Sequence, residues 1–454
     1  MAHVGKRAIV IGASMGGLLA GRALADCYEE VTIVERDPLP QGYEPRKGVP
    51  QGRHIHGLLA RGREILEQLF PNLTEELVAE GATAGDLVHQ GLWFNHGVYL
   101  SNVPSNLFGI AMSRPLLESG VRRRLLKFSN VRLRDGCDAL EVVFDHDQNR
   151  VTGVRIHDRG DSNNTETLSA DLIVDSSGRG SPSPTWLASM GYAKPREEQI
   201  KINLGYMTRT FRRQPEHFEH LQGKQFAILG ACEPDWRFGA ILGLERERWM
   251  VTLGGYLGDH VPTSDSGYLE FARSLQKPEI FNVIKNAEPL SPFTPYLFTA
   301  SLRRYYDELS RFPESFMVFG DAICSFNPVF GQGMTVAGME ALALRQCLQA
   351  GAQGSAKRFF RAAKRLIDTP WQIAVGSDLQ HPRVEGARTA QVRFINWYIS
   401  KFFWAAQHDG VLATRFLEVA NLMQPPTTLL SPGTALRVWK GNRRPGSVGN
   451  AARA

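Results

Sequence analysis

The 454-residue sequence predicts an α/β protein, and three stretches of the chain indicate this class. The first, over residues 6–37, is an apolar strand, a glycine-rich turn, a helix and a second strand. The second, over residues 191–290, contains repeated short strands that are typical of an antiparallel sheet. The third is a helical, aromatic stretch that begins after residue 350. We therefore expect a nucleotide-binding α/β domain, an inserted antiparallel β-sheet substrate domain and a C-terminal helical region.

The N-terminal stretch has the features of a Rossmann-like dinucleotide-binding unit. The first strand ends at Ile11, the turn carries Gly12, Ser14 and Gly17, and the second strand ends on Glu35. Such a turn lets a pyrophosphate approach the backbone at a helix N-terminus, while an acid about 20 residues further on binds the ribose hydroxyls. Ser14 stands where the usual pattern has its second glycine. This departure weakens the motif, although serine is small enough to keep the approach open.

The composition is that of an ordinary globular enzyme, with 43% hydrophobic and 22% charged residues. A net charge of +6 and the absence of any nucleic-acid-binding motif lead us to expect no nucleic-acid partner. The five cysteines are scattered without a C-x-x-C pair, which favours reduced thiols in the cytoplasm. His54 and His56 lack a nearby acidic or cysteine partner, so we expect no metal site.

Targeting signals are not evident in the sequence. The N-terminus runs directly into the first strand, so we expect no signal peptide. No run of 18 uncharged apolar residues exists, so we expect no transmembrane segment. The positive charge is compatible with peripheral contact at an anionic membrane surface.

The predicted domains alternate along the chain. The nucleotide-binding domain is expected in three parts, residues 1–85, 113–190 and 291–350. The substrate-binding sheet is expected from residues 86–112 and 191–290, and the helical region from residues 351–454, with a mobile basic tail from Lys440. Within that region we predict one aromatic helix, Phe394 to Phe416, that flanks an apolar cavity.

Two further motifs stand at predicted strand ends. In the middle of the chain an apolar strand ends in Asp175, followed by Ser-Ser-Gly-Arg. Later, an apolar strand ends in Gly320-Asp321, and a proline loop leads to Gly-Gln-Gly-Met at the start of a long helix. Backbone amides at a helix N-terminus suit a negatively charged group, and a carboxylate at a strand tip can accept hydroxyl hydrogen bonds. Asp321 could alternatively be a helix N-cap or turn residue.

Together the motifs resemble those of the FAD-dependent monooxygenases of the aromatic hydroxylase type. The stretches RKGVPQGRHIH, SRPLLE, DSSGRGS and GDAICSFNPVFGQGM are most similar to the branch of the bacterial polyether epoxidases, with squalene epoxidase more distant. The resemblance covers roughly residues 5–350. It implies that one oxygen atom of O2 passes through a flavin C4a-hydroperoxide into a hydrophobic substrate, by epoxidation or hydroxylation of a polyene, terpenoid, polyketide or aromatic ring.

The resemblance also implies cofactor contacts at individual positions. It assigns Gly12, Ser14 and Gly17 to the FAD pyrophosphate, Glu35 to the adenosine ribose, and Arg114 to the ribityl and phosphate region. It assigns Asp175 to the second motif, Asp321 to the ribityl chain, and Gly331, Gly333 and Met334 to the pyrimidine edge of the flavin. Arg36, Arg53 and Pro328 complete the predicted cofactor-binding set, with Arg53 alternatively a solvated loop residue. No side chain is expected to be catalytic, because the cofactor carries the hard chemical step.

The source of electrons is left open by the sequence. Aromatic hydroxylases carry adjacent Asp and Gly in the second motif, whereas Ser176 and Ser177 intervene here, so the motif gives no firm indication of NAD(P)H binding. No second nucleotide-binding fold is evident. Either NAD(P)H enters the same cleft, or a separate flavin reductase delivers reduced flavin.

Two other functions share this scaffold. Reductases or dehydrogenases of the geranylgeranyl reductase type keep a similar FAD core. Flavin-dependent halogenases place a lysine between flavin and substrate and carry a W-x-W-x-I-P segment, which this sequence lacks; Lys47 lies in a basic loop.

Overall fold

The computed structural model describes residues 3–160 and 164–443. Its strands are β1 (Gly5–Ile11), β2 (Tyr28–Val34), β3 (Thr83–Asp86), β4 (Gly91–Asn95), β5 (Val98–Tyr99), β6 (Phe108–Ala111), β7 (Val131–Arg134), β8 (Cys137–Asp145), β9 (Arg150–Asp158), β10 (Thr165–Ser169), β11 (Leu172–Asp175), β12 (Arg196–Arg212), β13 (Phe226–Leu229), β14 (Arg237–Leu244), β15 (Arg248–Gly255), β16 (Thr294–Tyr305), β17 (Phe316–Val318) and β18 (Cys324–Ser325).

Its helices are α1 (Met15–Ala25), α2 (Ala60–Leu69), α3 (Leu73–Ala79), α4 (Arg114–Leu125), α5 (Ser183–Ser189), α6 (His217–His220), α7 (Asp265–Arg273), α8 (Glu279–Ile284), α9 (Gly333–Gln349), α10 (Ser355–Asp378), α11 (Ala390–Ala406), α12 (Gly410–Ala420) and α13 (Pro432–Gly441). The predicted tail from Lys440 begins inside α13, and its remainder, from residue 444 on, lies outside the described residues.

A five-stranded parallel sheet forms the nucleotide-binding domain, in the order β17-β11-β1-β2-β7. Its inner strands are apolar on both faces, as expected for a parallel sheet that helices cover on both sides. The register pairs Ile11 with Val34 and Asp175, and Asp175 with Val318. The loops that follow β1, β2, β11 and β17 therefore emerge at one edge of the sheet.

A separate eight-stranded sheet has the order β18-β16-β12-β15-β14-β13-β4-β5 and is mostly antiparallel. Successive side chains on a strand point to opposite faces. One face, which includes Met207, Trp249 and Val251, packs against Tyr268 and Ile280 of α7 and α8. The other face, one residue out of phase, forms a wall toward the nucleotide-binding domain. The predicted combination of a Rossmann-like domain, an antiparallel sheet and C-terminal helices is confirmed.

Two boundaries predicted from the sequence need correction. The large sheet extends past residue 290, because β16 pairs with β12 along almost its whole length, up to Tyr305. The predicted aromatic helix is two helices, since the side chain of Asp409 accepts hydrogen bonds from the first amides of α12 and starts a new helix. Phe394 and Trp397 of α11 are 52% and 57% exposed, so they do not line a cavity.

None of the described helices is both long enough and apolar enough to span a membrane.

Candidate functional site

The three glycine-bearing motifs meet around Ser176, at the edge of the parallel sheet. A Cβ atom on Gly12, whose φ is +98°, would lie 2.7 Å from the carbonyl oxygen of Ser176, and one on Gly16 would lie 2.8 Å from its Oγ. A Cβ atom on Gly320 would lie 4.0 Å from the same Oγ. A Cβ atom on Gly17 would lie 1.7 Å from the carbonyl oxygen of Gly12, so no other residue fits there. The loops after β1, β11 and β17 are thus in direct contact.

Glu35 lies directly against the first glycine turn. Its side chain is buried, and its Oε2 accepts a hydrogen bond of 2.7 Å from the amide of Ala13. Its Oε1 accepts a hydrogen bond of 3.0 Å from the amide of Asp37. The predicted ribose-binding acid is therefore placed beside the turn predicted to hold the pyrophosphate.

A buried charged network connects this turn to helix α4. Arg114 donates to Ser14 Oγ at 3.0 Å and lies 3.3 Å from Glu118. Arg46 lies 3.1 Å from both Glu35 and Glu118, and its Nη2 has no hydrogen-bond partner among the described residues. Burial lowers the pKa of Arg114, whereas Glu118 and Asp321 act to raise it.

Arg46 and Glu118 were not predicted as site residues. Glu118 could have been found, because it follows Arg114 by four residues on one helix face. Arg46 could not, because its acidic partners come from the end of β2 and from α4.

The side chain of Asp321 is accessible, although protein surrounds it on most sides. Its side chain is exposed, yet the surrounding protein desolvates the carboxyl group and raises its pKa, against the opposing effects of Arg114 and Arg179. An accessible side chain that is enclosed in this way lines a deep cleft. A Cβ atom on Gly333 would lie 3.5 Å from Asp321 Oδ1, which places the carboxylate at the first residue of α9. The N-cap of α9 is Gln332, so Asp321 does not have the alternative capping role at this helix.

The turn that precedes α9 touches the loop that precedes α2. Gly331 has φ of +64°, and a Cβ atom there would lie 3.4 Å from the carbonyl oxygen of Gly57. Pro328 is exposed and Met334 is half-buried. Arg36 and Arg53 are exposed, and within residues 3–160 and 164–443 their side chains form no hydrogen bond or ion pair.

Asp175 supports the loop after β11 from beneath. It is fully buried, and its Oδ1 accepts hydrogen bonds from the amide of Ser177 at 2.9 Å and from Ser177 Oγ at 2.6 Å. Its Oδ2 accepts hydrogen bonds from the hydroxyls of Ser181 and Ser183. The serines of this motif therefore fold the loop onto the acid, whose oxygens face the protein.

Two buried acids behind the cleft were not predicted. Glu340 of α9 accepts a hydrogen bond of 2.7 Å from the amide of Gly320, and burial raises its pKa to about 8. Asp378, at the end of α10, accepts a hydrogen bond of 2.7 Å from Asn327 Nδ2, and burial raises its pKa to about 7. Both carboxyl groups hold backbone or side-chain groups of the loop between β17 and α9. No group of three metal-ligating side chains occurs in the part of the chain that the structure describes.

Comparison with known proteins gives one relative and a set of similar structures. The chain is 33% identical to Protein Rv3254 of Mycobacterium tuberculosis over 457 residues, which covers 96% of this chain and 95% of that protein. A search against models of known protein families found no match.

Several solved flavoproteins share the fold. The flavin-dependent brominase Bmp2 is 15% identical with a TM-score of 0.68, over 99% of both chains. A flavoprotein/dehydrogenase from Cytophaga hutchinsonii is 14% identical with a TM-score of 0.67, over 97% of this chain and 100% of that chain. PqsL, a probable FAD-dependent monooxygenase from Pseudomonas aeruginosa, is 17% identical with a TM-score of 0.57, over 82% of this chain and 96% of that chain. At these identities the likeness establishes the fold.

Proposed function

Because the chain belongs to the family of Protein Rv3254 of Mycobacterium tuberculosis and has a fold found in flavin-dependent enzymes, we propose that it is an FAD-dependent monooxygenase. Its substrate in this proposal is a hydrophobic small molecule that receives one oxygen atom of O2. The electrons come from NAD(P)H or from a separate flavin reductase, and we place the protein in the cytoplasm. Within this class we favour epoxidation or hydroxylation, as in the polyether epoxidase branch.

The observation that carries the proposal is the convergence of three distant segments on one cleft. Gly12, Ser176 and Gly320 come together at the edge of the parallel sheet, and Arg114 and Asp321 each affect the other's pKa. In open α/β sheets the ligand lies outside the carboxyl ends of the strands, which is where this cleft opens. A simple structural role would not require an accessible carboxylate at the glycine turn that begins α9.

The residues present fit the parts of FAD. The amides of the Gly12 turn and the N-terminus of α1 would bind the pyrophosphate, helped by Arg114. Glu35 would accept hydrogen bonds from the adenosine ribose, and Asp321 from the ribityl chain. The amides from Gly331 to Met334, at the N-terminus of α9, would face the pyrimidine edge of the flavin.

When bound, FAD supplies the oxygen activation, and the protein contributes binding, orientation and exclusion of water. The large sheet provides the wall opposite the nucleotide-binding domain. Exclusion of water protects reactive intermediates from side reactions, so the apolar side chains of this wall would serve the chemistry. No charged side chain needs to attack the substrate in this scheme.

The likeness to a brominase keeps halogenation as a second candidate. Halogenases place a lysine between flavin and substrate. In the described part of the chain, Lys47 is exposed on the loop that follows β2. We therefore rank oxygen insertion first and include bromide in the test.

The test is a turnover experiment with purified protein, FAD, NADH or NADPH, and ¹⁸O2, with and without a flavin reductase and bromide. Candidate substrates are polyenes, terpenoids and polyketides. We expect yellow protein with one non-covalently bound FAD per chain and a product that carries one ¹⁸O atom. A brominated product would instead support the halogenase, and a product formed at full rate without oxygen would support a reductase or dehydrogenase.

A further inference from the structure

On the wall of the large sheet, a histidine and two tyrosines form a polar cluster that the cofactor assignment does not use. Tyr206 of β12 lies directly opposite Tyr296 of β16, and their rings are stacked with centroids 5.1 Å apart. His54, from the loop before α2, packs edge-on against both rings, with centroid distances of 4.9 Å and 5.5 Å. In the described residues neither tyrosine hydroxyl has a hydrogen-bond partner.

The cluster borders the proposed flavin site. Asp321 and Arg179 both act on the pKa of Tyr296, so the tyrosine hydroxyl is within electrostatic range of these two groups. His54 belongs to the same loop as Gly57, whose carbonyl oxygen contacts Gly331. The polar groups of the wall are thus next to the turn that we assign to the reactive ring of the cofactor.

A pair of threonines determines which nitrogen of His54 carries the hydrogen. His54 Nδ1 lies 2.8 Å from Thr208 Oγ1, and Thr208 Oγ1 lies 2.6 Å from Thr252 Oγ1. If Thr252 donates to Thr208 and Thr208 donates to Nδ1, then Nε2 is the one polar group of these three side chains whose hydrogen lacks a partner. In the reverse direction, the hydroxyl hydrogen of Thr252 and the lone pair of Nε2 would both lack one. The first arrangement satisfies more buried groups, which favours the tautomer with the hydrogen on Nε2.

The Nε2–H group is therefore a donor without an acceptor. His54 is 2% exposed, and its Nε2 has no hydrogen-bond partner among the described residues. Burial, with a contribution from Arg53, lowers the pKa of His54 to about 4, so the ring is neutral near pH 7. Leaving a buried donor unpaired is costly, so such a group in a native protein calls for a partner such as a water, an ion or a ligand.

We propose that His54 Nε2 and the hydroxyls of Tyr206 and Tyr296 bind a neutral oxygen function of the substrate, such as a ketone, ester or alcohol. This inference rests on the proposed function and narrows it. The three groups carry no positive charge that would offset the cost of desolvating a carboxylate or phosphate, so we expect a neutral acceptor. The substrate is then an apolar molecule with at least one oxygen already attached, and the contact with His54 orients it on the wall.

Two variants distinguish the loss of the Nε2 donor from a general disruption of the fold. In His54→Asn the amide can replace Nδ1 and keep the contact with Thr208, but nothing replaces Nε2. In His54→Gln the amide nitrogen can reach the position of Nε2. The probes are 2-acetylnaphthalene, its hydrocarbon counterpart 2-ethylnaphthalene and the anion 2-naphthoate, whose binding to the purified FAD-loaded protein is measured by calorimetry.

The wild-type protein is expected to bind 2-acetylnaphthalene about 5-fold more tightly than either other probe. H54Q should keep this preference and H54N should lose it. Nitrogen-15 NMR of the wild-type protein should show a protonated Nε2 and an unprotonated Nδ1 in His54. Equal binding of the ketone and the hydrocarbon, no binding of either, or the opposite tautomer would overturn the proposal.

A separate FAD titration distinguishes the substrate from the flavin as the acceptor. H54N is expected to bind FAD as the wild type does. Weaker FAD binding with an unchanged preference among the probes would assign Nε2 to the flavin and reject the substrate role. Since neither measurement depends on turnover, failure of this inference is distinguishable from failure of the monooxygenase proposal.

Discussion

At the level of single residues, we propose that Asp321 binds hydroxyl groups of the cofactor. Its carboxylate is accessible within a deep cleft and lies beside the first turn of α9. Asp321→Ala should remove a charge-assisted hydrogen bond to the ribityl chain, worth about 1.5–3 kcal/mol, and weaken FAD binding about 10-fold or more. Titration of the apoprotein with FAD, followed by flavin fluorescence, measures this. Asp147→Ala, in an exposed turn, is the control. Equal FAD affinities in the two variants would show that Asp321 has only a structural role.

Glu340 makes stability depend on pH. Its folded-state pKa of about 8 lies above the ordinary value of 4.5, because burial disfavours the charged form. Its contribution to stability is therefore fully present below about pH 4.5 and is lost as the pH rises through about 8. Glu340→Gln should match the wild type near pH 5 and exceed it at pH 8 by more than about 1 kcal/mol. Denaturant unfolding at the two pH values tests this, and a difference that does not change with pH would contradict it.

The buried acids show what a sequence does not reveal at this scale. Glu340 lies in an alanine-rich helix and Asp378 near a helix end, positions at which most acids are solvated. Their hydrogen-bond partners, Gly320 and Asn327, lie 20 and 51 positions away in the chain. The glycine positions were predictable, because close backbone approach leaves a local signature in the turn.

At the level of elements, the loop between β2 and α2 is fixed by one arginine. Arg46 neutralises Glu35, Asp37 and Glu118, all of which are buried. Because it removes the positive partner of three buried acids, Arg46→Met should destabilise the protein by about 3–5 kcal/mol. Urea unfolding measures the change. Lys47→Met, on the exposed neighbour, should be close to neutral, and similar losses in both variants would disprove the special role of Arg46.

Elements with local signals were predicted well, and those that depend on partners were not. The first strand, glycine turn and helix follow from hydrophobic periodicity over a short window, and the structure places them within a few residues of the prediction. The break at Asp409 was hidden by the apolar residues on either side of it. The extent of β16 was missed because its pairing with β12 involves residues about 100 positions away.

At the level of the whole molecule, the candidate site is assembled from segments that are far apart in sequence. Gly12, Arg114, Ser176 and Asp321 come from four different parts of the chain. The motifs at three strand ends predicted that three of these parts meet, and the family resemblance added Arg114. They did not predict the polar cluster at His54, since its partners lie on strands of another sheet and carry no motif.

The strand order of the parallel sheet also constrains how the protein is made. Its edge strand β17 pairs with β11, and β17 is formed by residues 316–318, within the last third of the chain. During synthesis, more than 100 further residues must therefore be added before β17 can pair with the free edge of β11. Parallel pairing over such separations is slow, and an uncovered apolar strand promotes association between unfinished chains. A pause in translation before Phe316 would prolong this exposure, so the yield of folded enzyme should depend on how quickly the ribosome passes this segment.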